Sequence, residues 1–146
     1  MSNVLVDQLN LYLSDLQVLN VKVHNYHWNI VGSSFFSLHK AFEGLYDGLQ
    51  DEIDDVAERI LQIGGKPLTS LTDYAKTSGI QEAPSKDYTA SEALGALKAD
   101  YTYLVKTLSK AVQSAQESGD EGTVDFFVGA LKDKQKTLWM LEASAR

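Results

Sequence analysis

The sequence predicts an all-α fold: a four-helix bundle in which one long crossover joins the second and third helices. Three observations predict it. Apolar residues recur at alternating spacings of three and four along the long segments, which is the period of one helical face. Glycine, proline and serine clusters punctuate the chain at only a few places. No strand alternation, internal repeat or low-complexity tract stands out.

The first helix, A, is read over residues 4–31. Its stripe runs Leu5, Leu9, Tyr12, Leu16, Leu19, Val23, Tyr26, Ile30, and Ser2 or Asn3 is the candidate cap. Gly32-Ser33-Ser34 breaks the pattern and offers a cap for helix B, read over 35–63. So short a connection makes A and B an antiparallel hairpin. Helix B stops at Gly64-Gly65-Lys66-Pro67. Residues 65–88 are mostly polar and contain Gly79 and Pro84, with Leu68, Leu71 and Tyr74 supporting a short helix at about 70–76. A connection of that length is able to cross back along helix B, about 43 Å at 1.5 Å per residue. Thr89-Ala90-Ser91-Glu92 is a capping box. Helix C follows with Leu94, Leu97, Tyr101, Leu104, Leu108, Ala111 and Ala115, and Ser118 to Gly122 ends it. Val124, Phe127, Leu131 and Leu138 mark helix D, with Trp139 near its end; Trp139 and Tyr101 read as core. Four long helices with short A–B and C–D turns and a long B–C crossover make the ferritin-like layout.

A chain of 146 residues fits a single domain, 1–146, with a real core. The absence of cysteine excludes disulfides and thiolate metal sites, so any metal must be held by His, carboxylate, carbonyl or water. The net charge of −7 argues against a general nucleic-acid binder and suits a protein that attracts cations. No signal-peptide pattern and no apolar run of about 18 residues is present, which reads as a soluble cytoplasmic protein.

Helix B carries the chemistry. His39 and Glu43 are four apart, and so are Asp54 and Glu58, so each pair shares a face. Imidazole and carboxylate together suit iron, zinc or manganese. Glu43 and Asp54, however, are separated by roughly 16 Å of helix, too far for one metal or a metal pair. Two copies of helix B laid antiparallel across a two-fold axis remove the difficulty. Residues 39 and 58, and residues 43 and 54, both sum to 97, so one register sets His39 beside the partner's Glu58 and Glu43 beside the partner's Asp54. His39, Glu43, Tyr46, Asp47, Gln50, Asp54, Ala57 and Glu58 fall in an arc of roughly 120°. Leu38, Phe42, Leu45, Leu49, Ile53, Val56, Ile60 and Ile63 form an adjacent arc that reads as core.

His27-Trp28, Gly32, Phe35-Phe36, Leu38-His39, Tyr46, and Asp54 leading to Ala57-Glu58-Arg59 and Gly64-Gly65 resemble the Dps mini-ferritins over essentially the whole chain. The resemblance implies a hollow shell of twelve subunits. It also implies iron(II) oxidation, preferentially by hydrogen peroxide, at sites shared between two-fold partners, with ferric mineral stored inside. His27, His39 and Glu43 would come from one subunit, Asp54 and Glu58 from the other. Some family members have aspartate where this chain has Glu43. Trp28 resembles the family tryptophan beside the iron site, an electron source for stray oxidant. DNA-binding members often carry a lysine-rich tail, whereas residues 1–10 here contain no lysine or arginine, so direct DNA compaction is not expected.

Each of these residues also has a plainer reading. His24, three before His27, suits a satisfied interfacial histidine better than a third ligand. Asp47, Asp51, Glu52 and Asp55 crowd helix B either as a solvated face or as a cavity wall where ferric ions nucleate, and Asp55 offers the chemistry of Asp54 one step round the helix. Asp120, Glu121 and Asp125 favour the helix D dipole, or line the region similar to the Dps three-fold pore. Three functions are therefore in play: a peroxide-using ferroxidase and iron store, a DNA-protecting shell, and a helical interaction protein with accidental ligands.

Overall fold

The computed structural model describes residues 3–145. They form α1 (Asn3–Asn29), α2 (Phe35–Gln62), α3 (Leu71–Thr77), α4 (Ala90–Ser118) and α5 (Glu121–Ser144). Among the described residues the only extended pairing is an isolated bridge between Ile30 and Tyr88. The helix order is the predicted one, and the boundaries differ from the expected ones by one or two residues. The side chains of Ser2 and Asn3, the cap expected for the first helix, lie outside the described set.

Two compact units divide the chain. Residues 6–90 form the first, and the second runs from Ser91 onward and takes in the first turn of α1. In the first unit α1 and α2 are an antiparallel hairpin. Tyr12 bonds to Glu52, the Tyr26 and Phe42 rings meet at 6.5 Å, and His27 meets His39 near the turn. Phe42, Leu49, Val56 and Ile60 of α2 are buried as expected, while Leu45, Ile53 and Ile63 are half-buried at the edges of the apolar arc, and Leu38, in line with Val56, is half-buried in the first turn. Gly32 turns the chain at φ +112°, and Phe35 N–H donates to its carbonyl at 3.2 Å. Ser34 stands at the cap position of α2 but its side chain makes no capping hydrogen bond, so the start is set by the glycine turn.

Gly64-Gly65 end α2 in a Schellman motif. Gly64 has φ +88°, its N–H donates to Leu61 O at 3.0 Å, and Gly65 N–H donates to Ile60 O at 2.8 Å. Beyond it the crossover runs back along α1 as a strap, and α1 polar side chains hold it at successive points. Asn10 donates to Lys66 O (3.1 Å) and accepts from Leu68 N (2.9 Å). Asp15, wholly buried, accepts from Ser78 Oγ (2.7 Å) and Gly79 N (2.8 Å). Those bonds offset the desolvation of its carboxylate. Asn25 donates to the carbonyls of Ala83 and Pro84, and the strap closes where Tyr88 exchanges backbone bonds with Asn29 and Val31. Within the strap, α3 is capped by Ser70, whose hydroxyl accepts from Asp73 N–H, and no α3 residue is buried.

In the second unit α4 buries Ala93, Leu97, Tyr101, Leu104, Leu108, Ala111 and Ala115, six of them predicted; Leu94 is half-buried and Ala93 takes its place. A second Schellman motif, with Gly119 at φ +73°, ends it. Asp120 is already the N-cap of α5: one carboxylate oxygen accepts from Thr123 N–H, the other from Thr123 Oγ1. On α5 Phe127 is fully buried, and Val124, Leu131 and Leu138 are half-buried. Trp139 is 64% exposed rather than core. It lies about 120° around the helix from Phe127, whereas Leu141, within about 40° of Phe127, is buried. Lys134 is 1% exposed and pairs with Asp133 at 2.9 Å, a burial that the stripe did not announce.

Gly65 has a packing role beyond its turn. A Cβ there would lie 2.7 and 2.9 Å from the two Val6 methyls. Gly65→Ala should cost about 1–3 kcal/mol of stability through overpacking. Val6→Ala in the same chain should recover part of that loss, read as non-additivity in a denaturation double-mutant cycle.

Candidate metal centre

The two predicted histidine ligands are brought together by the α1–α2 hairpin. His27 Nδ1 is 2.6 Å from the His39 carbonyl oxygen, and His39 Nδ1 is 2.6 Å from the His27 carbonyl oxygen. A carbonyl oxygen only accepts, so each Nδ1 carries a proton and donates it across the hairpin. In a neutral ring the lone pair then resides on Nε2, the atom that ligates metals. The backbone makes this exchange possible. His27 lies in the last turn of α1, where carbonyls lack intrahelical partners, and the second lone pair of a helical carbonyl serves at His39. The two rings stack at 3.7 Å with 14° between planes, and Phe35 also stacks on His39 at 5.0 Å. His27 is buried and His39 half-buried. Both imidazoles are thus fixed in tautomer and orientation before any metal arrives, as metal-bound histidines usually are by their outer hydrogen bonds.

Glu43 follows His39 by one turn of α2 and is exposed. Asp54 and Glu58 are also exposed. With Asp55 they bring one oxygen each to within 4.8 Å of one another. Asp55, read from the sequence as an alternative to Asp54, joins the cluster rather than replacing it. Because α2 is continuous from Phe35 to Gln62, the Glu43 and Asp54 positions remain roughly 16 Å apart within one chain. The chain therefore offers two half-sets: two imidazoles with one carboxylate, and a separate group of carboxylates. Nitrogen and hard oxygen donors without sulfur fit iron(II).

The comparisons with known proteins agree on one family. Residues 6–146 match the ferritin family, described as a ferritin-like domain. "DNA protection during starvation protein 2" of Bacillus anthracis is 41% identical over 143 residues, 98% of this chain and 97% of that one. The chain belongs to the Dps family. The crystal structure of a Dps protein from Bacillus brevis is similar with a TM-score of 0.95 at 36% identity, covering all of both chains. That of the Vibrio cholerae O1 DPS protein, described as a member of a broad superfamily of ferritin-like diiron-carboxylate proteins, gives 0.93 at 34%, covering 97% of this chain and 89% of that one. The fold of this Dps chain is accordingly the ferritin-like four-helix bundle, with the crossover carrying its short helix.

Three aromatic residues complete the surroundings of the Dps histidine pair. Tyr46 stacks on His24 at 3.9 Å and meets His27 edge-on at 5.1 Å. Trp28 is 66% exposed, tilted against His24 at 5.3 Å and 6.4 Å from His27. His24 spends its Nδ1 proton on Asn20 O at 2.7 Å, a bond inside its own helix. Sequence reading placed Tyr46 on the polar arc without a role. Its ring contacts arise from pairing α2 with α1, which helical spacing on one element does not reveal.

The Tyr46 phenol is pushed above its ordinary value, first by desolvation and then by the negative charges of Glu43 and Asp47. Removing those charges should lower it again. In an alkaline ultraviolet titration, Tyr46→Phe should delete a step on the high-pH side of the tyrosine curve. Glu43→Gln with Asp47→Asn should move that step toward lower pH.

Proposed function

We propose that this Dps protein detoxifies and stores iron. It oxidises iron(II), with hydrogen peroxide as the preferred oxidant, and keeps the ferric product as mineral inside a hollow shell, sparing the cell oxidative damage. The observation that carries this reading is the reciprocal His27–His39 bonding, which fixes two imidazoles with their Nε2 atoms available.

Iron(II) is the substrate. His27, His39 and Glu43 of one subunit hold it together with the partner's Asp54 and the partner's Glu58. The constant sum of 97 for the facing pairs and the unbroken run of α2 from Phe35 to Gln62 both support that pairing. Two irons per site each give one electron to one peroxide. The O–O bond breaks, two protons are taken up, and two waters form without a hydroxyl radical. The protein supplies placement and negative charge, and the few protein ligands leave positions for water and oxidant. Trp28 stands beside the histidines as a donor to stray oxidant. On this reading the protein is a ferroxidase and a soluble cytoplasmic dodecamer built on two-fold dimers. No helix among the described residues is long and apolar enough to cross a membrane. Glu121 and Asp125 are the acids at the α4–α5 turn free to draw iron toward a pore, since Asp120 is committed to its cap.

His39→Ala and Glu58→Ala should each slow peroxide-driven iron(II) oxidation by about tenfold or more. Equal rates in both variants and wild type would remove the site. Co-assembling the two variants is sharper. A mixed dimer has one doubly damaged site and one intact site, so random mixing should restore about a quarter of the sites. A site contained in one subunit would restore none.

A second reading, protection of DNA by the shell itself, is favoured by the name of the Bacillus anthracis relative. The net charge of −7 opposes direct contact with phosphates. In a gel-mobility assay at neutral pH and low salt, no shift of duplex DNA is expected; a stoichiometric shift would favour the shell reading.

A further inference from the structure

We infer that Tyr46 is a second redox-active side chain beside the iron site, returning an electron to Trp28 after the indole has been oxidised, by way of the His24 ring that touches both. The inference rests on the iron-oxidising function proposed above. Three rings form a continuous path: indole against imidazole at 5.3 Å, and that imidazole stacked on the phenol at 3.9 Å with 22° between planes. The phenol also sits edge-on to His27 at 5.1 Å, closer to that imidazole than the indole is at 6.4 Å. His24 is tied through Nδ1 to Asn20 O, and its plane lies within 22° of the phenol's. Electron transfer between rings in van der Waals contact is fast because tunnelling falls steeply with distance. Two such contacts link the exposed Trp28 to the half-buried Tyr46.

The step balances as follows. A site holding a single iron(II) reduces hydrogen peroxide by one electron. The O–O bond breaks to give hydroxide and a hydroxyl radical, and the iron becomes iron(III). The Trp28 indole gives an electron and its N–H proton to that radical, forming water and a neutral indolyl radical. Tyr46, whose phenol is protonated near neutrality, then passes an electron to the indolyl radical. The indole regains a proton from solvent, and the phenolic proton leaves to solvent. The net change is one hydroxyl radical converted to water and one tyrosine to its tyrosyl radical, with Trp28 restored. The His24 ring holds the two donors in contact and undergoes no net change. It acts as a positioning residue.

The first test needs no iron. Pulse radiolysis of the assembled protein with azide radical, which oxidises indole, should show a tryptophan radical decaying into a tyrosyl radical. The measurement is made in a Trp139→Phe background, so that Trp28 is the only indole. Tyr46→Phe should slow that conversion at least tenfold, and His24→Leu should slow it with both donors present. Unchanged conversion in Tyr46→Phe overturns the inference and leaves the iron site standing. A fold-independent check uses the Trp139→Phe protein with Tyr46 intact, given substoichiometric iron(II) and peroxide. Peptide mass spectrometry should then find oxidation on Tyr46 exceeding that on each of the other six tyrosines, and an unmodified Tyr46 beside oxidised Trp28 overturns the inference. Iron(II) oxidation measured in the same samples tests the site separately, because it does not require Tyr46.

Discussion

The pair of imidazole–carbonyl hydrogen bonds across the α1–α2 turn is the interaction on which the rest depends. Each ring uses Nδ1 to tie the opposing helix, which leaves Nε2 outside that pair of bonds. Fold and site are therefore not separable at this point. The contact that closes the hairpin also sets the tautomer of both histidines, and it needs no carboxylate to do so. The orphan carbonyl at the end of α1, ordinarily a weak point of a helix, becomes the acceptor for His39 Nδ1.

The acids obey a different constraint. Asp54, Asp55 and Glu58 are exposed and crowded, and among the described residues no imidazole joins their cluster. Crowded carboxylates on one helix face repel each other unless cations or water intervene. A helix that accepts that repulsion along one face, while burying Phe42, Leu49, Val56 and Ile60 on another, carries two separate requirements in one sequence. The apolar arc belongs to the chain's own core, whereas Glu43, Asp54 and Glu58 of the polar arc stay exposed.

Much of this was legible in the residues. The alternating stripes gave four long helices in the right order, and Gly64-Gly65 and Ser118-Gly119 marked stops that both proved to be Schellman motifs. The short helix in the crossover was placed within a residue, because Leu71 and Tyr74 with Ser70 before them form a local signal. What spacing along one helix does not contain is the angle at which neighbours meet. The reciprocal histidine bonds, the Tyr46 stack and the Asp15 anchor join residues 12 to 64 positions apart, and no local pattern encodes them. Trp139 misled for a related reason. Its size suggested core, but its angular position on α5 turns it outward. Ser34 offered the right chemistry for a cap, and the glycine turn before it made the cap unnecessary.

The strap along α1 has a consequence for cooperativity. Its side-chain anchors at Asn10, Asp15 and Asn25 reach partners 56 to 64 residues away. Closing so large a loop in an open chain is entropically costly, yet once the hairpin has formed only the stretch from Gly65 to Tyr88 remains to be closed. The anchors thus gain most of their strength from the hairpin, and in turn brace the end of α1 that carries His27. A strap tied at both ends in this way joins the segments near Val6 and near Ile30 through one set of anchors.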